Sequence, residues 1–332
     1  VTAGIVGADE WRGRREVDQV NAEKEMLQWT WALPAKPKEE DVEPLDFRAV
    51  MNRQSEWRRG LMPSDVVTIA AGVDVREKQL DWFVTAKRQN GQPLCIDYGY
   101  EPVLREASDL RTALKQAVRY LQEKFDKGWE VEGTGHSRGI DIALIDIGWE
   151  TDTIRESLND HQLWRRAKGY GFRQHAGASY AAPGSKTASR ELRHIGEGWH
   201  DVVLVRDGKR FRELENNADH WKRRVHQSLT VASDSSAALL LPRTDKPEGR
   251  IEVAKQLTAE RETTVFEVGK GTVRKWVQTF TRNHLLDACY MSFVGLSVSE
   301  YEMAKARKKA ERTADNAVIS GKKAEPFVRK LR

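Results

Sequence analysis

The chain has only two cysteines in 332 residues, Cys95 and Cys289. They lie far apart and lack CxxC spacing, so they provide neither a disulfide framework nor a zinc site, which suits a reducing cytoplasm. Long apolar runs are also missing. No stretch approaches the ~20 residues that a membrane-spanning helix requires, and the N-terminus has no signal-peptide pattern. No Ser or His nucleophile stands at a familiar motif. A phosphate loop is absent too: "GASYAAPGSKTASR" (177–190) comes nearest, but Gly184 is followed by Ser185 and position 179 is Ser rather than Gly. The pattern G-x-x-x-x-G-K-[ST] therefore fails, which argues against ATP hydrolysis by this chain alone. Val1 stands where a complete product would begin with Met, as expected of a fragment or a processed chain.

What the chain does contain is charge. Lys and Arg number 55, Asp and Glu 50, and the pI is about 9.1. A net charge of +5 and 11 Trp residues describe a soluble globular protein with polar extensions and a mild bias toward a polyanionic partner.

Residues 1–65 read as an arm or linker. "LPAKPKEEDVEP" (33–44) is rich in Pro and charge, and a short helix is expected before it around 18–31. Three strand-like segments follow at 65–75, 79–88 and 92–101. The last two are separated by "RQNGQ", whose Asn-Gly signals a hairpin, so the three predict an antiparallel meander. Leu110, Leu114, Ala117 and Leu121 recur at helical spacing within 105–125. "IDIALIDIG" (140–148) reads as a buried strand and 151–160 as a helix. The pattern then predicts a strand at 201–208, a helix at 209–229, a short strand at 237–242, a helix at 250–260 and a hairpin over "GKG". The segment "NHLLDACYMSFVGLSV" (283–298) is apolar nearly all round and reads as a buried helix. Residues 300–332 form a polar, basic tail. This order predicts an α/β fold, a ribonuclease H-like mixed sheet of an antiparallel meander plus parallel strands, flanked by helices and occupying 66–299.

Three aspartates occupy apolar settings. Asp74 lies in "VVTIAAGVDV", Asp146 ends "IALID", and Asp287 sits among Leu285, Leu286, Ala288 and Cys289. Each alone has a plain reading as a turn cap or an Arg partner. Together they occupy the first strand, the fourth strand and the last helix, and in a ribonuclease H-like sheet these meet. Carboxylates that close force protonation unless cations intervene. Mg²⁺ or Mn²⁺ accepts such hard oxygen ligands, and two such ions ~4 Å apart would activate a water and stabilise the leaving 3′-oxygen of a phosphodiester.

Several stretches in order resemble the nuclease half of a tailed-phage large terminase subunit of the lambda-like type. They are residues 53–100, "ALIDIGWETDTI" (143–154), "QLTAE" (256–260) and "W…TRNHLLDACYM" (276–291). The resemblance spans about residues 20–298. It implies metal-ligand roles for Asp74, Asp146 and Asp287, and a metal-dependent endonuclease that cuts concatemeric double-stranded DNA during genome packaging. It also implies an ATPase motor, a small terminase subunit and a portal as partners, with the 1–65 arm as the link toward the motor. The setting would be the host cytoplasm, without a membrane. The family usually reads R-N-E-x-x-D where this chain has Arg282, Asn283, His284 and Asp287. His284 is left open as a weaker fourth ligand, a phosphate contact or a helix cap. Glu260 reads as structural, orienting a Lys or Arg near the site, and Asp97 as sheet-edge pairing.

Lys168, Arg165 and Arg166 follow the second acidic motif, and Lys222, Arg223 and Arg224 cluster on a predicted helix beside Trp221. Each is either part of a solvated face or a grip on the duplex backbone, with salt-dependent affinity and little sequence reading. A junction resolvase or transposase-like nuclease of the same fold, and a non-catalytic module that docks DNA or portal, remain the alternatives.

Overall fold

A computed structural model describes residue 7 and residues 45–319, apart from 106–108, 159–160, 172–189, 197, 207, 245–246 and 268–270. The expected helix at 18–31, the linker at 33–44, nearly all of the loop at 177–190 and the last residues of the tail lie outside the described residues.

Helix α1 (Phe47–Met51) precedes β1 (Gln54–Arg58) and β2 (Leu61–Met62). The meander follows: β3 (Val66–Val75), β4 (Gln79–Arg88) and β5 (Pro93–Pro102). Then come α2 (Leu110–Lys127), β6 (Trp129–Val131), β7 (Ser137–Arg138), β8 (Ile142–Asp146), α3 (Thr151–Ser157) and β9 (Trp164–Tyr170). The second half holds β10 (Arg190–Ile195), β11 (Trp199–Arg206), β12 (Lys209–Asn217), α4 (Ala218–Thr230), β13 (Leu241–Arg243) and α5 (Pro247–Leu257). The hairpin β14 (Glu260–Glu267) and β15 (Gly271–Gln278) leads to α6 (His284–Ile319).

Eight strands form one sheet in the order β10-β11-β12-β9-β8-β3-β4-β5. The β3-β4-β5 meander is antiparallel, whereas β8 runs parallel to β3 and to β9, and β9 runs parallel to β12. This is the expected mixed α/β sheet, with an antiparallel meander joined to parallel strands.

The sheet is covered on both faces, which explains why its central strands are apolar throughout. Alternation sends Ala70, Ile142 and Leu144 into one core with Val225 of α4, Leu257 of α5 and Ala288 and Val294 of α6. It sends Ile69, Ala71, Val73, Ala143 and Ile145 into the other, with Leu114, Val118, Leu121 and Phe125 of α2 and Ile154 of α3. Burying each large side chain contributes roughly 1.5–3 kcal/mol. Val50 of α1 joins the first core, and β1 pairs in parallel with β13. Residues 47–62, within the stretch read as an arm, are therefore packed onto the sheet, and α6 runs without a break past residue 299.

Among the elements that differ from the sequence reading, two lie in the middle of the main sheet. Residues 209–217, expected to begin a helix, are strand β12, held antiparallel by β11 and parallel by β9, and the helix starts only at Ala218. "WRRAKGY", which shows no strand signal, is central strand β9, with Trp164 and Ala167 buried on opposite faces. Pairing on both sides overrides the weak local preference of these charged segments.

Helix α6 reaches the sheet because β3 has no side chain at Gly72. A Cβ there would lie 2.0 Å from the Ala288 carbonyl oxygen and 2.7 Å from the Ser292 nitrogen. Backbone thus packs on backbone, and the first turn of α6 is held over the C-terminal ends of β3 and β8.

Candidate metal centre

Asp74 is the penultimate residue of β3 and Asp146 the last of β8. The register pairs Val73 with Ile145, so the two aspartates stand side by side where the parallel strands end. Asp74 and Gly72 share a face, so Asp74 points toward α6, which carries Asp287 in its first turn. All three carboxylates line one cleft of about 500 Å³ together with Lys168, Lys222, Asn283 and Tyr290. Crevices beyond the C-terminal ends of parallel strands are the usual ligand positions in such sheets.

The electrostatics are strained. Burial raises the Asp74 pKa to about 7, with Asp287 and Asp146 pushing the same way and the His284 hydrogen bond opposing. Burial likewise raises Asp146 to about 6, against backbone N–H groups of Gly148 and Ile147 that favour its charge, while Asp287 raises it further and Lys168 lowers it. Asp287 is also raised by burial, with Lys222 pulling the other way. Gly148 leaves room for the Asp146 carboxylate, because a Cβ there would sit 3.0 Å from Oδ2.

Asp287 belongs to a second, paired cluster. Lys222 Nζ lies 2.9 Å from Asp287 Oδ1 and donates to both Glu260 oxygens at 2.9 and 2.8 Å. Asn283 Nδ2 donates to Asp287 Oδ2 at 3.2 Å and also to Glu260 Oε1. Burial works against the Lys222 charge, but Asp287 and Glu260 outweigh it and hold its pKa above the ordinary lysine range. Glu260 thus orients a lysine beside the site.

The chain's own pattern now bears on a family. The family described as terminase large subunit gpA, endonuclease domain, matches residues 8–309. The chain belongs to this family. No curated protein matches the sequence. Among solved structures, a member of the Ppx/GppA protein family from Aquifex aeolicus aligns at 13% identity over 47% of this chain and 54% of its own, with a TM-score of 0.22. The match thus spans about half of that protein, and an overlap this loose carries no argument.

The remaining residues of this terminase endonuclease domain divide by location. His284 Nδ1 sits 2.9 Å from Asp74 Oδ2, so the residue that departs from the R-N-E-x-x-D pattern touches the first aspartate. Lys168 lines the cleft. Lys222, read as part of a solvated face or a grip on the duplex backbone, is buried and committed to two carboxylates. Arg165 pairs with Glu302 at 3.4 Å beside a separate hollow lined by Asp201 and Arg212. Arg166 donates to the Arg155 carbonyl at 2.8 Å. Arg223 pairs with Glu262 across to β14, and Arg224 is half-buried on the same helix. Asp97 accepts from Arg59 at 2.6 Å and Trp129 at 3.0 Å, a structural pairing near the sheet edge.

One acid escaped the sequence reading. Asp81 of β4 is the cross-strand partner of Asp74, is buried, and accepts from Gln79 at 2.7 Å and Arg76 at 3.5 Å. Burial raises its pKa. Asp74, Asp81 and His284 bring donor atoms within 4.8 Å of one another. The signal was present: the tight turn between Val75 and Gln79 sets a register that places 74 opposite 81.

The donor set suits a hard divalent cation. Carboxylate oxygens are the preferred ligands of Mg²⁺ and Mn²⁺. Asp74 and Asp146, raised by burial and by neighbouring acids, would be returned to their charged forms by a nearby cation. Each oxygen of Asp287 already accepts one bond, but a carboxylate oxygen has two lone pairs and keeps a further site.

Proposed function

We propose that this domain is a divalent-cation-dependent endonuclease that cuts concatemeric double-stranded DNA during phage genome packaging, by two-metal phosphodiester hydrolysis in the Asp74–Asp146–Asp287 cleft. The family carries the endonuclease assignment. The observation that carries the mechanism is the convergence of three acids, from two adjacent strand ends and the last helix, in one open cleft. Bound Mg²⁺ or Mn²⁺ would supply an activated water and charge for the leaving 3′-oxygen.

The protein's own groups have separable tasks. Asp74, central between Asp146 and His284, would hold cations shared across the cleft. Asp146 is oriented by the Ile147 and Gly148 amides, so its carboxylate is fixed before loading. Lys168, which lines the cleft, would meet a phosphate there. His284, hydrogen-bonded to Asp74, would orient that carboxylate or add a nitrogen ligand. The motor, small subunit and portal are the partners this reading brings with it, and the host cytoplasm is its setting.

The test is nicking of supercoiled plasmid with Mn²⁺. Asp74→Ala should abolish cleavage while circular dichroism and the thermal midpoint report a folded chain. Full cleavage by folded Asp74→Ala would sink the assignment. Absence of Mn²⁺ binding by the unsubstituted chain would favour a docking module instead, and preference for four-way junctions would favour a resolvase.

A further inference from the structure

The two sides of the cleft are neutralised differently. Asp74 has an imidazole partner, His284, and Asp146 is opposed mainly by backbone amides and more distantly by Lys168. Asp287 is different, because a full ammonium is already seated on it. Lys222 is buried, lies 2.9 Å from Asp287 Oδ1, and is gripped from behind by both oxygens of Glu260. Asn283 ties the same two acids together. The Lys222 side chain also lies over the Tyr290 ring, at 5.8 Å from its centroid, which closes off another direction.

Lys222 is too committed to serve as a phosphate contact and too enclosed to be a solvated surface charge. A cation approaching Asp287 meets a like charge within a few ångströms, held in place by a buried carboxylate. Among the described residues, a cation approaching Asp74 and Asp146 meets no lysine or arginine at contact distance, only the His284 imidazole on Asp74.

We infer that Lys222 is a built-in cation that pre-neutralises Asp287, so that the cleft takes one divalent ion tightly on Asp74 and Asp146 and a second only weakly on Asp287. Lys222 is then a positioning residue whose grip Glu260 sets. It holds the Asp287 carboxylate in place while the second position is empty, and it makes filling that position dependent on added negative charge such as a DNA phosphate. The inference rests on the divalent-cation reading of the cleft.

The test is Mn²⁺ binding by the full chain without DNA, followed by calorimetry and by the paramagnetic resonance of free Mn²⁺. The unsubstituted chain should bind one ion at least about tenfold more tightly than a second, as expected for like charges at short range in a partly buried site. Lys222→Met leaves two buried acids unpaired and risks misfolding. The paired variant Lys222→Met/Glu260→Gln removes one charge of each sign and preserves the balance. In the folded paired variant the second ion should bind about tenfold or more tighter, and Lys222→Arg should keep the original pattern. Structural damage alone cannot produce a gain in affinity. Equal affinities in the unsubstituted chain, or a second ion no tighter in the paired variant, would overturn the inference and leave the cation reading standing. No Mn²⁺ bound by the unsubstituted chain would overturn the cation reading itself.

Discussion

Asp74 and Asp146 concentrate the cleft's charge problem, and their protonation sets how the domain responds to pH. Both are raised in the folded chain, to about 7 and about 6, by burial and by neighbouring acids. An acid raised on folding adds stability that is fully present below its unfolded value and is lost as pH rises through its folded value. Without metal, these two groups should therefore make the protein less stable between about pH 4 and pH 7. Divalent ions need the deprotonated forms, so binding strengthens over the same range. Differential scanning fluorimetry with chelator should show the thermal midpoint falling from pH 5 to 7.5. The rise in midpoint on adding Mn²⁺ should grow over that interval, as the added stability approaches the roughly 2.7 kcal/mol expected at a hundredfold excess over Kd. Asp74→Asn should flatten both trends. A midpoint independent of pH in chelator would contradict the account.

Helix α6 is positioned by an absent side chain. Its backbone rests on Gly72, where a Cβ would approach the Ala288 carbonyl to 2.0 Å. Gly72→Val should force the helix outward, costing about 1–3 kcal/mol or more in urea unfolding. The same displacement should pull Asp287 from Asp74 and Asp146, so cleavage should fall further than stability does. An active and equally stable Gly72→Val protein would show that the close approach is dispensable. Strand β9 makes a related point. In the sequence its basic residues form one group after the second acidic motif, but the strand distributes them. Lys168 reaches the cleft, while Arg165 and Arg166 engage Glu302 and the Arg155 carbonyl elsewhere.

Over the whole molecule, net charge of +5 coexists with a cleft lined by more aspartates than lysines. Duplex binding should come from basic groups around the cleft rather than from its floor, and it should weaken steeply with salt. Lys168→Ala should lower affinity about equally for unrelated duplexes and reduce the slope of log affinity against log salt by about 1, as measured by fluorescence anisotropy. Arg165→Ala, whose charge is spent on Glu302, should leave that slope unchanged. A larger effect from Arg165 than from Lys168 would reverse this assignment.

Much of the site was legible in the sequence, because a carboxylate in an apolar strand is costly and so conspicuous. "GVDV", "LIDIG" and "NHLLDACY" each announce one, and the strand-strand-helix order predicts that they meet. The meander, α2 and the buried part of α6 follow from periodicity and turn residues alone. Three things depended on tertiary structure. Segments 164–170 and 209–217 are strands only because neighbours pair with them on both sides. Asp81 matters only because hairpin register sets it opposite Asp74. Lys222 looks like one of three exposed cations on a helix until the fold brings Glu260 and Asp287 to it from β14 and α6. Local sequence reports the cost of burying a charge, whereas the partner that offsets the cost comes from distant parts of the chain, and only the packed structure brings it there.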